Sequence, residues 1–295
     1  MLRRAALLFL LLPLAAGCGG AAARGTSAPK IVATTTQLAD MARNIAPGAE
    51  VTSLLSANTD PHEYEVRPND VKALASADIV LRSGGEVDAW LAGALDSAGL
   101  DEQDVVNAGA AAGMEGDDPH WWQDPQRAEK AAVAIGAAFA RAGLPDDSAA
   151  YVKRLQTLDA GVKRCMDKVP AAQRKLVTSH DALGYFARRY GIQVIGTVIP
   201  ALTTAAQPSA GDVAKLVDTI KAAGVTTIFA ESSVNPKVEE AIAREAGARI
   251  GKALWADSLG PKGSDGATYI ESIASNTTAL VEGFSGGAIN CRVDA

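Results

Sequence analysis

An α/β fold of two lobes, each a mainly parallel sheet flanked by helices, is predicted by three observations on this 295-residue chain. Short continuous apolar runs alternate with helical patterns, the alternation occurs twice, and a proline-bounded amphipathic stretch separates the two series. Continuous apolar strands spaced by helices belong in parallel sheets covered on both faces. In the first series the expected strands are 31–35, 51–55, 79–83 and 105–108. In the second they are 176–179, 194–197, 227–230 and 249–254, with helices over 209–223, 236–245 and 267–284.

Pro145 and Pro170 bound the stretch between the series. Val152, Leu155, Leu158, Val162 and Met166 fall at spacings of three and four residues, one helical stripe. Proline at the start and just past the end suits a helix's limits. Over 146–168 this helix would run about 35 Å at ~1.5 Å per residue. That length suits either a span between two lobes or a surface helix of the first. The expected organisation is a lobe over 30–144, a helix over 145–170 and a lobe over 171–295.

The N-terminus sets the compartment. Arg3 and Arg4 precede an apolar run over 5–16, interrupted only by Pro13. The run is too short to cross a hydrocarbon layer of ~30 Å, for which a helix needs about twenty residues. It fits the h-region of a secretory signal spanning 1–17. Ala15-Ala16-Gly17-Cys18 resembles a bacterial lipobox, which implies acylation of Cys18 and anchoring at the extracytoplasmic face of the cell membrane. An ordinary cleaved signal with an incidental cysteine is the alternative. Gly, Ala and Ser dominate 19–29, a tether with no means of forming a core.

Loss of Arg3 and Arg4 takes the net charge from −6 to −8. No basic stripe is left to grip phosphate, so nucleic acid is excluded as a partner. With Cys18 assigned to lipid, Cys165 and Cys291 remain as a pair in an oxidising compartment. Neither has a Cys or His neighbour at zinc-site spacing. A disulfide between them is expected, with two unrelated buried thiols as the alternative.

Only three histidines occur in the chain. His62 and His120 each end an Asp-Pro-His tripeptide, and His180 ends an apolar strand. Loops and strand ends are where α/β folds place ligands. A lone histidine there is more often a surface residue than a ligand, but three in such contexts point to a shared metal site. Imidazole is the commonest metal-binding side chain, and a preceding proline stiffens the backbone that presents it. Catalytic patterns are missing: there is no His-Glu-x-x-His, no Gly-x-Ser-x-Gly, and Gly251-Lys252 lacks the glycine spacing and Ser/Thr of a P-loop.

Five ordered motifs then resemble the zinc- and manganese-specific solute-binding proteins of ABC transporters. They are Asp60-Pro61-His62-Glu63-Tyr64-Glu65, Asp118-Pro119-His120-Trp121-Trp122-Gln123-Asp124-Pro125 and Ser179-His180-Asp181-Ala182-Leu183-Gly184-Tyr185-Phe186. Phe229-Ala230-Glu231-Ser232-Ser233-Val234-Asn235-Pro236 and Asp257-Ser258-Leu259-Gly260 complete the series. The resemblance runs from 30 to 284. It implies two α/β lobes joined by one long rigid helix, with the metal in the cleft between them. It also implies His62 and His120 as ligands from the first lobe, and His180 and Asp257 from the second.

Three imidazoles and a carboxylate suit tetrahedral Zn²⁺. Each imidazole should be oriented by an acceptor at its other ring nitrogen, for which Asp60, Glu63, Asp118 and Asp181 are nearest in sequence. Glu231 is the expected acid behind the site, or else a carboxylate that caps the following helix. Binding needs neutral imidazoles, so affinity is expected to decline as the pH falls through ~6.5.

Two features qualify the resemblance. Many zinc-specific relatives carry a long His-rich loop before the second ligand, whereas 109–117 is short and lacks His. Manganese-type relatives usually have Glu where this chain has His180. The expected function is capture of Zn²⁺, with Mn²⁺ as the alternative, by a monomer that delivers it to the permease of an ABC importer. A secreted zinc hydrolase requires an open coordination position and a general base, and no histidine remains to serve as one. A surface adhesin is the third reading.

Overall fold

The computed structural model describes residues 28–101 and 105–294. The signal and the Cys18 lipidation site lie outside the described residues. Four parallel strands, β1 (Lys30–Ala33), β2 (Glu50–Ser53), β3 (Ile79–Arg82) and β4 (Val105–Asn107), form a sheet in the order β2-β1-β3-β4. The inner strands bury Ile31, Val32, Val80 and Leu81, which is why they read as unbroken apolar runs. Parallel pairing needs crossovers, and α1 (Thr36–Ile45), α2 (Pro68–Ala75) and α3 (Leu91–Ala98) supply them. Thr35 starts α1 by accepting the Leu38 N–H at 3.4 Å. This half ends with α4 (Ala108–Ala112) and α5 (Pro125–Arg141).

The C-terminal half repeats the plan in shorter pieces. β5 (Lys175–Thr178) pairs with β6 (Gln193–Thr197), and β7 (Thr227–Ile228) with β8 (Arg249–Ile250), all parallel. A bridge from Thr178 to Phe229 joins the pairs. β7 and β8 are shorter than the apolar runs 227–230 and 249–254 suggest. Beyond Ile228 and Ile250 the chain leaves regular pairing, which resumes once at a Glu231–Leu254 bridge. Around these strands lie α7 (Gly184–Tyr190), α8 (Ala210–Ala223), α9 (Lys237–Ala246) and α10 (Tyr269–Phe284). Ser209 with Asp212, and Thr268 with Glu271, close reciprocal capping boxes at the starts of α8 and α10.

Between the halves runs α6 (Ser148–Met166). It packs on α1 and α5 from one half and on α10 from the other. Tyr151, Leu155, Leu158, Val162 and Met166 form its buried face, with Val152 only half-buried. The largest apolar cluster is continuous through these helices, reaching from Ile31 and Leu38 to Phe229 and Leu280. Each half adds a smaller cluster of its own, one around Leu74 and Leu91, the other around Val217 and Ile242. Among the described residues no helix is long and apolar enough to cross a membrane.

Cys165, near the end of α6, is bonded to Cys291 in the C-terminal tail, 126 residues on. Cross-linking a loop of that size contributes up to ~5 kcal/mol by restricting the unfolded chain. Titration of unfolded, unreduced protein is expected to find neither thiol free at these positions. Two free thiols would contradict the bridge.

Candidate metal centre

In both Asp-Pro-His tripeptides the aspartate accepts the histidine backbone N–H. Asp60 Oδ1 accepts the His62 backbone N–H at 2.9 Å, opening a single 3-10 turn over Pro61–Glu63. Asp118 Oδ1 accepts the His120 backbone N–H at 3.1 Å, just ahead of a second such turn over Trp121–Gln123. These side-chain-to-backbone turns aim both imidazoles inward. His180 follows β5, and Asp257 lies on the loop after β8.

That loop is fastened from both halves. Trp122 Nε1 and Gln123 Nε2 both donate to the Ala256 carbonyl, at 2.8 and 2.7 Å. The Asn276 carboxamide accepts from the Trp255 N–H and donates to the Trp255 carbonyl, each at 2.8 Å. Gly266 lies so close to the Trp255 indole that a Cβ there would fall 2.3 Å from the ring. Any side chain at 266 would push the loop that carries Asp257.

His62, His120, His180 and Asp257 converge, each offering one ligand atom, and these atoms all lie within 4.8 Å of one another. His120 Nε2 and His180 Nε2 are 3.3 Å apart. Asp257 Oδ1 stands 3.4 Å from His120 Nε2, and its Oδ2 stands 3.4 Å from His180 Nε2 and 3.7 Å from His62 Nε2. All four side chains are fully enclosed. Neither carboxylate oxygen of Asp257 has a hydrogen-bond partner among the described residues.

Behind the cluster, two imidazoles are braced. His120 Nδ1 lies 2.9 Å from Asp118 Oδ1, and His180 Nδ1 lies 2.9 and 2.8 Å from the two oxygens of Glu231. Glu231 also accepts the His180 backbone N–H at 3.0 Å, so its carboxylate serves the imidazole and caps no helix. His62 departs from the expectation that every imidazole has such an acceptor: neither ring nitrogen has a hydrogen-bond partner among the described residues. Asp60 holds the His62 backbone N–H on Oδ1 and the Thr204 hydroxyl on Oδ2, at 2.6 Å, and neither oxygen bonds to the His62 ring. Glu63, expected behind the site, is instead exposed at the end of its turn and bonds to none of the imidazoles. Asp181 is exposed too.

Electrostatics separate the three histidines. Burial lowers the His62 pKa to about 4, with Asp257 only partly opposing it. Burial acts on His180 in the same direction, but the charges of Glu231 and Asp257 outweigh it and raise that pKa to about 9. For His120, burial is likewise overcome by Asp118 and Asp257, and the pKa rises. Asp257 is the converse case: burial would raise its pKa, but His180, His120 and His62 hold it below the usual carboxylate range.

A scaffold that closes three imidazoles and a carboxylate around a space of ionic size points to proteins that bind a metal ion. The chain belongs to the periplasmic zinc-uptake complex component A family, whose model matches residues 31–283. Members are substrate-binding proteins of metal ABC transporters and not enzymes. The zinc-binding protein TroA of Treponema pallidum (strain Nichols) is 33% identical over 285 residues, covering 90% of this chain and 91% of that protein. The manganese-binding lipoprotein MntA of Bacillus subtilis (strain 168) is 36% identical over 289 residues, covering 90% and 93%. The structure of the Treponema pallidum periplasmic zinc-binding protein superposes with a TM-score of 0.79 at 27% identity, over 88% of this chain and 99% of that one.

Proposed function

We propose that this protein captures Zn²⁺ through His62, His120, His180 and Asp257, and delivers it to the permease of an ABC importer. The supporting observation is the spacing of the donor atoms. Four ligands about 2.0–2.1 Å from a tetrahedral Zn²⁺ stand roughly 3.3–3.4 Å apart. The His120 and His180 Nε2 atoms stand 3.3 Å apart, and each stands 3.4 Å from an oxygen of Asp257, a different oxygen for each. His62, the unbraced imidazole, stands farther off, 3.7 Å from Asp257 Oδ2. In this reading 30–144 and 171–295 act as two lobes, α6 is the connection that fixes their spacing, and the ion sits between them. Two histidines, braced by Asp118 and by the buried Glu231, and the Asp257 carboxylate supply three preorganised ligands, and His62 completes the set.

A manganese reading has one observation in its favour. Both oxygens of Asp257 face imidazoles, an arrangement that lets the carboxylate bind through two atoms and raises the coordination number, as Mn²⁺ prefers. Elemental analysis of protein purified without added metal tests the proposal. Zinc near one equivalent is expected, and manganese in its place contradicts it.

The anchor makes a separate prediction. With lipid on Cys18, Cys18→Ala protein is expected to leave the membrane fraction with its zinc affinity unchanged. An unlipidated mature N-terminus on the wild-type protein, found by mass spectrometry, would contradict the anchor.

A further inference from the structure

Beside His62 lies a cavity of about 330 Å³ that the ligand cluster does not use. It opens between the Asp60–Glu63 turn of one half and two segments of the other, 198–208 and 233–239. Asp60, Glu63 and Glu239 bring three carboxylates to its wall, and no Lys, Arg or His lines it. The neutral polar groups there include Thr204, Gln207 and Ser233, so its side-chain donors to a cation are all oxygens.

Glu239, on α9, is the decisive residue. It is 2% exposed, and its Oε1 accepts the Ser179 hydroxyl at 2.6 Å. Its Oε2 is buried and unpartnered among the described residues, as is the hydroxyl of Ser233. Leaving a buried carboxylate oxygen unsatisfied is costly, and doing so beside two further carboxylates compounds the cost. Nothing in the folding of α9 requires it, since Glu240 also supplies an acid at the helix start and the apolar face is carried by Ile242 and Ala243. A divalent cation that keeps part of its water shell removes both penalties: its charge offsets the carboxylates and its waters reach the orphaned groups.

We propose that this cavity is a second, weak cation site, which holds a hydrated divalent ion on oxygen ligands next to the imidazole cluster. The inference rests on the metal-capture reading and adds a staging position to it. An ion held here lies against the Asp60 turn that carries His62, the ligand with no brace on its ring. Hard ions such as Mn²⁺, Mg²⁺ and Ca²⁺ suit the all-oxygen wall. Few-carboxylate sites of this kind bind in the range of about 0.1–1 mM.

The test uses full-length mature protein loaded with one equivalent of Zn²⁺, its zinc content measured first, and titrated with Mn²⁺ followed by electron paramagnetic resonance. One further Mn²⁺ is expected to bind in the sub-millimolar to millimolar range. Glu239→Gln keeps an acceptor for Ser179 and is expected to remove that equivalent. Glu63→Gln, at an exposed position that threatens no fold, is expected to weaken it several-fold. A wild-type protein that takes up no Mn²⁺ beyond the imidazole site, or uptake that persists unchanged in both variants, overturns the proposal and leaves a cavity filled by water. Failure to retain zinc contradicts the proposed function instead. The cavity is still decided in that case, because a fall of one Mn²⁺ equivalent on Glu239→Gln is read whether or not zinc has taken the other site.

Discussion

Replacing His120 or His180 with Ala is expected to lower zinc affinity by at least about 100-fold. Four ligands share a binding free energy of roughly 10–16 kcal/mol in structural zinc sites, so one ligand accounts for about 3 kcal/mol, or a factor of about 10². The two variants should then part company in stability. His180→Ala leaves Glu231 buried with no imidazole against it, and breaking a buried pair costs about 3–5 kcal/mol. His120→Ala frees Asp118, which is partly exposed and loses less. His180→Glu sets a new carboxylate beside Glu231 and Asp257 and is expected to shift preference toward Mn²⁺, since it trades nitrogen for oxygen. Competitive titration and thermal unfolding of the metal-free variants read both effects. Zinc binding unchanged by loss of His180 would remove that residue from the site.

Zinc binding is expected to release protons well above the range set by an ordinary histidine. In the metal-free protein His180 titrates near 9, and an ion can use only its neutral form. Below about 9, each zinc that binds the folded protein displaces the His180 proton. Affinity therefore rises about tenfold per pH unit up to that value and levels off above it. This moves the expectation from sequence, a decline through ~6.5, to higher pH, and the charges of Glu231 and Asp257 are the cause. Stability of the metal-free protein follows the same group. A raised imidazole pKa gives a contribution fully present below about 6.5 and lost as the pH rises through 9. His62 acts in the opposite sense: with its pKa lowered to about 4, it stays neutral while the unfolded chain takes up a proton, so stability falls from pH ~6.5 toward 4. Calorimetry in buffers of different ionisation enthalpy measures the release. At least one proton per zinc at pH 7.5 is expected, and none would contradict the account.

The strands of the N-terminal sheet were legible because burial on both faces leaves an unbroken apolar run, as in Ile31-Val32-Ala33 and Ile79-Val80-Leu81. β7 and β8 were overestimated for a related reason. Phe229, Ala230 and Leu254 are buried, but by packing outside regular ladders, and an apolar run does not distinguish the two. The rotation of the α6 stripe to include Tyr151 was hidden because a tyrosine reads as either face. Within the site, histidines were visible through their scarcity and the repeated tripeptide. Which carboxylate braces which ring was not, since Asp60 and Asp118 sit in identical local sequence. Both accept the histidine backbone N–H on Oδ1, but only Asp118 Oδ1 also reaches the ring, while Asp60 turns its second oxygen to Thr204, 144 residues away along the chain. The Trp122 and Gln123 bonds to the Ala256 carbonyl are equally remote, and no local pattern announces them.

The most direct test of zinc capture is competition for one site between Zn²⁺ and Mn²⁺ in chelator-buffered solution at pH 7.5, with bound metal counted by elemental analysis. Three imidazole ligands favour Zn²⁺, which also stands above Mn²⁺ in intrinsic affinity. The account predicts one equivalent of bound Zn²⁺ at equal free concentrations, lost in His120→Ala protein. Retention of Mn²⁺ against equal free Zn²⁺ would contradict it.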